Sequence, residues 1–482
     1  MRILNLIFIS AVTSILMLSC SQPSIEPTEL RCEYAENPLI DIQNPRLSWI
    51  NSNEAEIQGA AQSAYQIQVA LGSDDFKNLV WDSGKVSSDE SAFIEYAGEE
   101  LDSRSTYFWR VKVWDENGNA TDWSETASWQ MGILSQDEWK GQWIGAPWQG
   151  NDSYDIINPD RDFQYIIENP DFDADPAPLI RKSFNISKPV KEVRFYGTGL
   201  GYFELHVNGE RVGDEYFAPN QTNYDKRPKL VGTERGITDP FQEYTVMYLS
   251  YDLTDMVSKG ENVFGVILGN GFYDVVKHWS PMGYGTPRFM GQVEITYKDG
   301  TSEIIASDES WKIEKSAIVK DQIFYGEHYD ARLEHDGWSE AGYDDSKWAN
   351  VVIKPAPCGK LIPQNGPADR ILEVYEPVSF EKMENGGYHV KFPVEISGWI
   401  NLKNMVLTEG QKVEIYYSKG PLIKTAEMPN LIGHDYATAY KLLSQLGFTS
   451  VMYDGTAHSE AVNTANTCIA RELSLAYGAS LE

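Results

Sequence analysis

The chain is short of cysteines, of basic residues and of long apolar runs. Four cysteines among 482 residues are too few for the disulfide framework of a small secreted domain. The sequence contains no Cys-x-x-Cys pair or His/Cys cluster of the kind that binds zinc. The formal net charge is −31, from 40 basic and 71 acidic residues. This excludes nucleic acid as a partner and argues against an anionic membrane surface, because both require a basic surface.

The N-terminus carries the one long apolar run, and residues 1–19 are predicted to be an export signal. Arg2 precedes an apolar segment that is too short for a spanning helix. The segment ends at Met17-Leu18-Ser19-Cys20, which resembles the lipobox of bacterial lipoproteins, with Met17 where Leu is usual. The resemblance implies lipidation of Cys20 and a lipid-anchored protein of the bacterial cell envelope, facing the periplasm or the outer surface. The alternative is a plain secretory signal followed by an incidental cysteine.

What the chain does contain is enough apolar and aromatic surface for several cores. Hydrophobic residues make up 42% and aromatic residues 12%, including 14 Trp and 27 Tyr. In the first part of the chain Trp109, Val111 and Val113 alternate with Arg110 and Lys112, which is the period of a half-buried strand. Short strands separated by turns over about a hundred residues predict a β-sandwich resembling fibronectin type III.

A second alternating region begins near Pro178. Phe203, Leu205 and Val207 share one face before the Asn208-Gly209 turn, so a second, jelly-roll-like sandwich is expected. The fold class is therefore predicted as mainly β, with tandem β-sandwich modules and a short α/β fragment at the C-terminus. The predicted segments are 1–19 (signal), 20–28 (tether), 29–134 (first sandwich), 135–177 (connector), 178–323 (second sandwich), 324–369 (connector), 370–420 (partial third β module) and 421–482 (α/β tail).

Several sequence runs occur in the order found in one enzyme family. They include Asn44-Pro45-Arg46-Leu47-Ser48-Trp49, Trp81-Asp82-Ser83-Gly84-Lys85-Val86, Tyr107-Phe108-Trp109-Arg110-Val111, Gly199-Leu200-Gly201-Tyr202-Phe203-Glu204, Asn208-Gly209-Glu210-Arg211-Val212-Gly213, Gly269-Asn270-Gly271-Phe272-Tyr273 and Gly326-Glu327-His328-Tyr329-Asp330-Ala331-Arg332. Residues 29–418 resemble the N-terminal, non-catalytic half of bacterial α-L-rhamnosidases.

The resemblance implies an activity and places it elsewhere. Such enzymes release terminal L-rhamnose from glycans or glycosides by inversion, with one carboxylic acid and one carboxylate that activates water. In the family both groups lie in a helical barrel C-terminal to these β modules, and no Asp-Glu-Arg-x-Gly-Trp motif of that barrel occurs here. We therefore expect carbohydrate-binding modules that are inactive as a hydrolase. The cluster around Glu327 and Asp330 is interpreted as an inter-domain connector, because the family catalyses elsewhere. The alternative is a glycosidase of unrecognised type that uses this cluster.

The second module is the expected sugar binder, since in this family it can bind rhamnose, sometimes with calcium. Sugars need planar hydrogen-bonding groups and an aromatic face. The candidate residues at turns or strand ends are Asn208, Asn220, Tyr224, Asn270 and Tyr273. Both Asn-Gly dipeptides also fit ordinary turns.

Calcium and exposed tryptophans are further candidates. Asp214, Glu215 and Asp225 could offer oxygen ligands to calcium, with a solvated acidic rim as the alternative. Most tryptophans fit the core, whereas Trp148 and Trp279 have polar or irregular neighbours and are predicted as exposed sugar platforms.

The C-terminal tail, residues 433–482, resembles a fragment of class II fructose- or tagatose-bisphosphate aldolases. The similarity rests on the run from Gly447 to Gly455. His434, Asp454 and His458 suggest metal chemistry only through that resemblance. The motif lacks its catalytic Asp and its metal-ligand His, so no zinc site is predicted and the reading frame is interpreted as chimeric.

Overall fold

The structure is a computed structural model, and it describes most of the chain up to residue 403. The described residues are 22–54, 56–152, 175–226, 243–274, 283–323, 326–364, 366–383, 386–395 and 398–403. They form a mainly β structure, as predicted, with short 3-10 helices at Gln136–Glu138, Thr254–Met256 and Ala331–Leu333. Contacts divide the chain into two units, Met1–Arg370 and Ile371–Glu482.

The first module is a two-sheet sandwich. Its strands are β1 (Glu26–Cys32), β2 (Leu39–Ile40), β3 (Arg46–Ser52), β4 (Gln62–Leu71), β5 (Leu79–Asp82), β6 (Ile94–Glu95), β7 (Thr106–Asp115) and β8 (Ala127–Met131). One sheet has the order β1-β3-β6 and the other the order β2-β8-β7-β4-β5.

Strand β7 shows why this sequence forms a sandwich. Every second residue is buried, and Trp109 is completely inaccessible among the apolar side chains of both sheets. On the outer face the Arg110 guanidinium lies 3.9 Å from the ring centre of Phe76 and 4.6 Å from that of Trp123. The alternation thus places aromatic bulk in the core and cations over aromatic rings outside, which confirms the predicted strand.

The second module is a larger sandwich. Its strands are β9 (Ile144–Gly145), β10 (Pro178–Ile186), β11 (Val190–Leu200), β12 (Tyr202–Val207), β13 (Glu210–Arg211), β14 (Thr245–Asp252), β15 (Gly260–Gly269), β16 (Arg288–Tyr297), β17 (Ser302–Ala306), β18 (Lys312–Lys315), β19 (Ile318–Gln322), β20 (Gly326–Tyr329), β21 (Ala349–Asn350), β22 (Val352–Ile353) and β23 (Lys360–Pro363).

Two sheets of this module share one core. The first has the order β13-β12-β15-β10-β18-β21, and the second has the order β22-β9-β16-β11-β14-β23, with β17 added to β16. Phe203 of the first sheet packs against Phe195 and Phe289 of the second, with ring centres 6.0 and 5.8 Å apart. These contacts fix the two sheets face to face.

The two segments predicted as connectors differ from that expectation, because both supply strands to this module. Residues 135–177 provide β9, and residues 324–369 provide β20 to β23. Strands of two to four residues show no measurable alternation, so sequence periodicity cannot reveal them. The later segment also covers the first sheet, where buried Arg181 pairs with Asp345 and donates to the Glu340 carbonyl at 3.2 Å.

The first and second modules meet through buried polar and apolar contacts. The Ile133 amide donates a 2.8 Å hydrogen bond to the Tyr248 hydroxyl. Arg104 pairs with Glu138 and, at 2.6 Å, with Glu294. This charged clamp holds a residue of the first module against β16 of the second.

The second unit contributes one hairpin to the described residues, formed by β24 (Ser379–Lys382) and β25 (Tyr388–Lys391). Phe380 stacks on Tyr388 with ring centres 4.7 Å apart, and both rings are more than half exposed. The hairpin lies inside the predicted third β module. The remainder of that module from residue 404, and the whole α/β tail, lie outside the described residues.

Candidate functional site

A close approach of two backbones builds one end of the second module. Gly201 joins β11 to β12 with φ +99°, and a Cβ there would lie 2.1 Å from the Gly269 carbonyl oxygen. Only glycine fits such a contact. It lets Tyr202 pair with Gly269, and the Tyr202 ring then lies against Gly271. This close approach places Asn270, which is buried, at the strand end.

Asn270 fixes a carboxylate at this end of the module. Its backbone amide donates to Asp321 Oδ2 at 2.8 Å, and its side-chain amide donates to Asp321 Oδ1 and to the Asp321 carbonyl, both at 2.8 Å. Burial raises the pKa of Asp321 to about 6, the Asn270 amide opposes this, and nearby Glu327 adds to it. A carboxylate held in this way is an oriented acceptor for hydroxyl groups.

Glu327 and Glu204 add two more carboxylates to the same region. Glu327 is the cross-strand neighbour of Asp321 in the β19–β20 hairpin. Its pKa is raised by burial and by the charge of Glu204. Glu204 accepts a 3.1 Å hydrogen bond from Arg211, which compensates its charge. Glu204 is therefore part of an ion pair, whereas Asp321 and Glu327 are acceptors for sugar hydroxyls.

Tyr202, which flanks Gly269 together with Asp321, forms an aromatic pair with Phe217. Phe217 is 54% exposed, and its ring centre lies 5.6 Å from that of Tyr202. The Phe217 backbone has φ +49°, a conformation that is unfavourable for a bulky L-residue. Backbone strain that displays a ring to solvent is typical of functional positions. We call Tyr202, Phe217, Asn270, Asp321 and Glu327 the strand-end site.

The five predicted sugar-binding residues do not all reach this site. Asn270 belongs to it, and Asn220 follows Phe217 closely in the chain. The Asn220 amide groups are occupied, since its backbone N–H donates to Gln364 and its side chain donates to the Pro367 carbonyl at 3.2 Å.

Asn208 serves a turn. Its side chain donates to the Met256 carbonyl and to Asn262 at 2.9 and 3.0 Å, and accepts from the Val263 amide at 3.0 Å. With φ +50° it is the first residue of the β12–β13 hairpin turn. The side-chain amide is thereby used within the fold.

Tyr224 and Tyr273 come together but are buried. Their ring centres are 5.4 Å apart, and Tyr284 completes a three-ring cluster at 5.3 and 5.7 Å. The guanidinium of Arg288 lies 5.3 Å from the Tyr273 ring centre. Tyr224 and Tyr273 are 1% and 2% exposed, so no ring face is available to a sugar. The cluster closes the core at this end of the module.

The catalytic candidates separate into two different environments. Asp330 caps the last 3-10 helix and pairs with Arg332 at 2.5 Å. Hydrogen bonds from Arg332 lower the pKa of Asp330 to about 2, so it remains ionised and cannot donate a proton near neutral pH. Glu327 has a raised pKa and lies beside Asp321 instead.

The predicted calcium ligands are engaged by protein groups. Arg370 donates to Asp214 and to Glu215, both at 2.8 Å, and Asp225 hydrogen-bonds to Cys358. Within the described ranges, no group of three or more His, Cys, Asp and Glu side chains could hold a metal ion. The arrangement therefore gives no support to a calcium site at Asp214 and Glu215.

Two family models match the modules just described. Residues 27–135 match a Rha78A-like, N-terminal immunoglobulin domain. Residues 188–373 match the α-L-rhamnosidase N-terminal domain. The chain belongs to the α-L-rhamnosidase family.

Curated relatives agree with this assignment. An α-L-rhamnosidase of Formosa agariphila is 34% identical over 434 residues, which cover 86% of this chain and 43% of that protein. An α-L-rhamnosidase of Alteromonas sp. is 30% identical over 437 residues, which cover 87% and 43%. The rhamnosidase-family chain thus spans less than half the length of these relatives.

Solved rhamnosidases share the fold. The α-L-rhamnosidase from Dictyoglumus thermophilum superimposes with a TM-score of 0.64 at 35% identity, covering 77% of this chain and 39% of the other. The Streptomyces avermitilis α-L-rhamnosidase complexed with L-rhamnose has a TM-score of 0.64 at 24% identity, covering 76% and 48%. The second likeness concerns the fold alone.

Other predictions for this rhamnosidase-family chain fall partly outside the described residues. Trp148 is half-buried against the second core, with Lys315 5.6 Å from its ring centre, so it is not a free platform. Cys20, Trp279 and the aldolase-like tail with His434, Asp454 and His458 lie outside the described residues and stay predictions. Among the residues that the structure does describe, none forms a helix long and apolar enough to span a membrane.

Sequence reasoning missed most of the strand-end site. Tyr202 lies in the family-like run from Gly199 to Glu204. Its place in the site depends on the contact with Phe217, which no sequence pattern singles out. Asp321 lies in a strand, and its partner Asn270 is 51 residues away. The one usable signal was the Gly201 and Gly271 pair around aromatic residues, since glycines beside aromatics often mark close backbone approach.

Proposed function

We propose that the second module binds a terminal L-rhamnose unit of a glycan or glycoside at the strand-end site. The observation that supports this is the exposed Phe217 ring, which has positive φ and packs against Tyr202, while Tyr202 and the Asp321 carboxylate that Asn270 fixes both flank Gly269. Rhamnose offers hydroxyl donors to carboxylates and an apolar methyl group to an aromatic ring. The family name and the L-rhamnose complex of the Streptomyces protein indicate the sugar.

In this proposal the described modules hold the sugar and do not cleave it. Asp330 is ionised and paired with Arg332, so it cannot act as the general acid. We assign rhamnoside hydrolysis to residues other than those described, in keeping with the greater length of the curated relatives. No calcium ion is required, because the carboxylates can accept hydrogen bonds from the sugar hydroxyls directly.

Isothermal titration of the full chain with L-rhamnose tests the proposal. Phe217→Gly removes the ring and suits the positive φ, so the variant should fold while its affinity falls about tenfold or more. Phe380→Ala is the matched control, since it removes another exposed phenylalanine. Unchanged affinity in Phe217→Gly, or no binding by the wild type, would overturn the proposal.

A second candidate function is glycoside cleavage by the strand-end carboxylates. It is favoured by the pKa of Asp321, about 6, and by the raised pKa of its cross-strand neighbour Glu327, because such a pair can supply an acid and a base. Hydrolysis of an aryl α-L-rhamnoside would test it, with Glu327→Gln as the variant. No turnover above the blank, or equal turnover in the variant, would remove this candidate.

We also propose that the protein is anchored in the bacterial cell envelope through Cys20, in line with the lipobox-like sequence. Metabolic labelling with a radioactive fatty acid should mark the wild type and leave Cys20→Ser unlabelled. Equal labelling of both would contradict the anchor.

A further inference from the structure

A strained turn in the first module carries two exposed aromatic neighbours. Residues Cys32 to Ala35 form a two-residue turn closed by reciprocal backbone hydrogen bonds of 3.0 Å. Its central residues, Glu33 and Tyr34, have φ +48° and +68°. Such turns usually contain Asn-Gly, because two L-residues with large side chains are unfavourable there.

In this turn Tyr34 is exposed to solvent and lies against the ring of Phe93. Tyr34 is 56% exposed and Phe93 is 62% exposed. Their ring centres are 5.8 Å apart with an interplanar angle of 76°, which forms an open aromatic corner. Phe93 also has positive φ, at +60°. Two exposed rings thus occur together with three residues in an unfavourable conformation, although folding alone would favour burying the rings.

Arg46 makes this corner rigid and adds donors. Its guanidinium lies 4.9 Å from the Tyr34 ring centre and donates to the Tyr34 hydroxyl at 3.3 Å. The Arg46 guanidinium also donates to the Glu33 carboxylate, from Nε at 3.1 Å and from Nη2 at 2.5 Å. Burial acts to raise the pKa of Glu33, but the hydrogen bonds from Arg46 prevail and keep that pKa below its ordinary value. The pair is thus ionised and the platform is preorganised.

We propose that Tyr34, Phe93 and Arg46 form a second sugar-binding site, in the first module, for an uncharged rhamnose-containing glycan chain. Aromatic faces take the apolar side of a sugar ring, and the guanidinium N–H groups that Glu33 and Tyr34 do not use donate to its hydroxyls. An uncharged chain is favoured because Glu33 compensates Arg46 and the protein carries a net charge of −31, which repels anionic polymers. The inference rests on the proposed function only for the identity of the sugar.

Two sites on one chain change how a glycan binds. A chain that engages both platforms binds with greater avidity than a single sugar at either one. A short rhamnose oligosaccharide, too small to bridge the modules, should instead bind with a stoichiometry of two per protein. A stoichiometry of two therefore distinguishes two independent sites from a single site.

The experiment is isothermal titration of the full chain with a short, uncharged α-linked rhamnose oligosaccharide. Tyr34→Gly removes one ring and suits the turn, so thermal unfolding should show a fold at least as stable as the wild type. Its stoichiometry should fall from two to one, and the double variant with Phe217→Gly should bind none. Phe93→Gly provides an independent second variant with the same expected result. Glu56→Gly, at φ +52° in the same module, is the matched control and should retain two sites.

The outcomes separate this inference from the proposed function. One site in the wild type that Phe217→Gly abolishes and Tyr34→Gly retains would overturn the first-module site and support the strand-end site. One site in the wild type that Tyr34→Gly abolishes and Phe217→Gly retains would overturn the strand-end site and support the first-module site. Absence of binding in the wild type would overturn both. Equal binding of a uronic-acid polymer would overturn the restriction to uncharged glycans.

Discussion

Replacing Asp321 by Asn should remove a defined part of the pH dependence of the second module's stability. Burial raises the pKa of the Asp321 carboxyl to about 6 from an ordinary value of 3.8. The folded state therefore binds more protons than the unfolded state between these two values. Its contribution to stability is fully present at low pH and is lost as the pH rises through about 6.

The size of the effect follows from the two pKa values. The full displacement corresponds to about 3 kcal/mol, at about 1.4 kcal/mol for each pKa unit. Only the upper part of the window is practical, because the sequence pI is about 4.6 and the protein loses its solubilising charge there. Between about pH 5.5 and about pH 7.5 the linkage relation gives a loss of about 0.8 kcal/mol. For a module of this size that is a fall in melting temperature of about 2–3 °C.

Scanning calorimetry at these two pH values provides the assay. The wild type should lose about 2–3 °C more than Asp321→Asn as the pH rises, whatever the absolute stability of the variant. Asp330→Asn is the control, since Asp330 has a pKa of about 2 and titrates below the window. The same pH dependence in the wild type and in Asp321→Asn would refute the reasoning.

Three further predictions concern stability and can be checked by calorimetry. Arg104→Met leaves the partly buried Glu138 and Glu294 uncompensated between the modules, so we expect a loss of about 1–3 kcal/mol, and no change would contradict the clamp. Trp109→Ala opens a cavity in the first core and should cost about 3–5 kcal/mol, whereas a cost below about 1 kcal/mol would contradict its burial. Burial, with a smaller effect of a nearby arginine, lowers the pKa of Lys354 to about 8. The wild type should therefore gain stability relative to Lys354→Met as the pH rises from about 8 towards 10.5, and parallel curves of stability against pH would show that this lysine is solvated.

Sequence periodicity predicted what depends on neighbours along the chain. The alternation of Trp109, Val111 and Val113 is realised in β7, and that of Phe203, Leu205 and Val207 in β12. In both strands the buried residues are the ones that alternation selects. The mainly β character and the two sandwiches follow from such stretches.

The edges of the second module could not be predicted in this way. Strands β21 and β22 have two residues each, and β23 joins β14 in a parallel pairing across more than a hundred residues. Their stability comes from the strands they join rather than from their own pattern. Buried Arg181 likewise depends on Asp345, which lies 164 residues later in a segment that reads as polar.

The exposed aromatic corners were missed for a different reason. Pattern analysis assigns aromatic residues to cores, because burial is their usual fate. Tyr34, Phe93 and Phe217 are exposed and have positive φ. The residue type does not predict this conformation, which at Tyr34 belongs to the turn that Cys32 and Ala35 close.

Asn208-Gly209 and Asn270-Gly271 show most clearly where chemistry-based site prediction reaches its limit. Asn208 and Asn270 have the same side chain and the same following residue. The amide of Asn208 is occupied by Met256, Asn262 and Val263, whereas Asn270 orients the Asp321 carboxylate towards the strand-end site. These partners lie 48 to 55 residues away. The two asparagines therefore offer the same donors and acceptors in the sequence but have different roles in the fold. A hydrogen-bonding residue becomes a site residue through the partner that folding gives it, and that is a property of pairs rather than of positions.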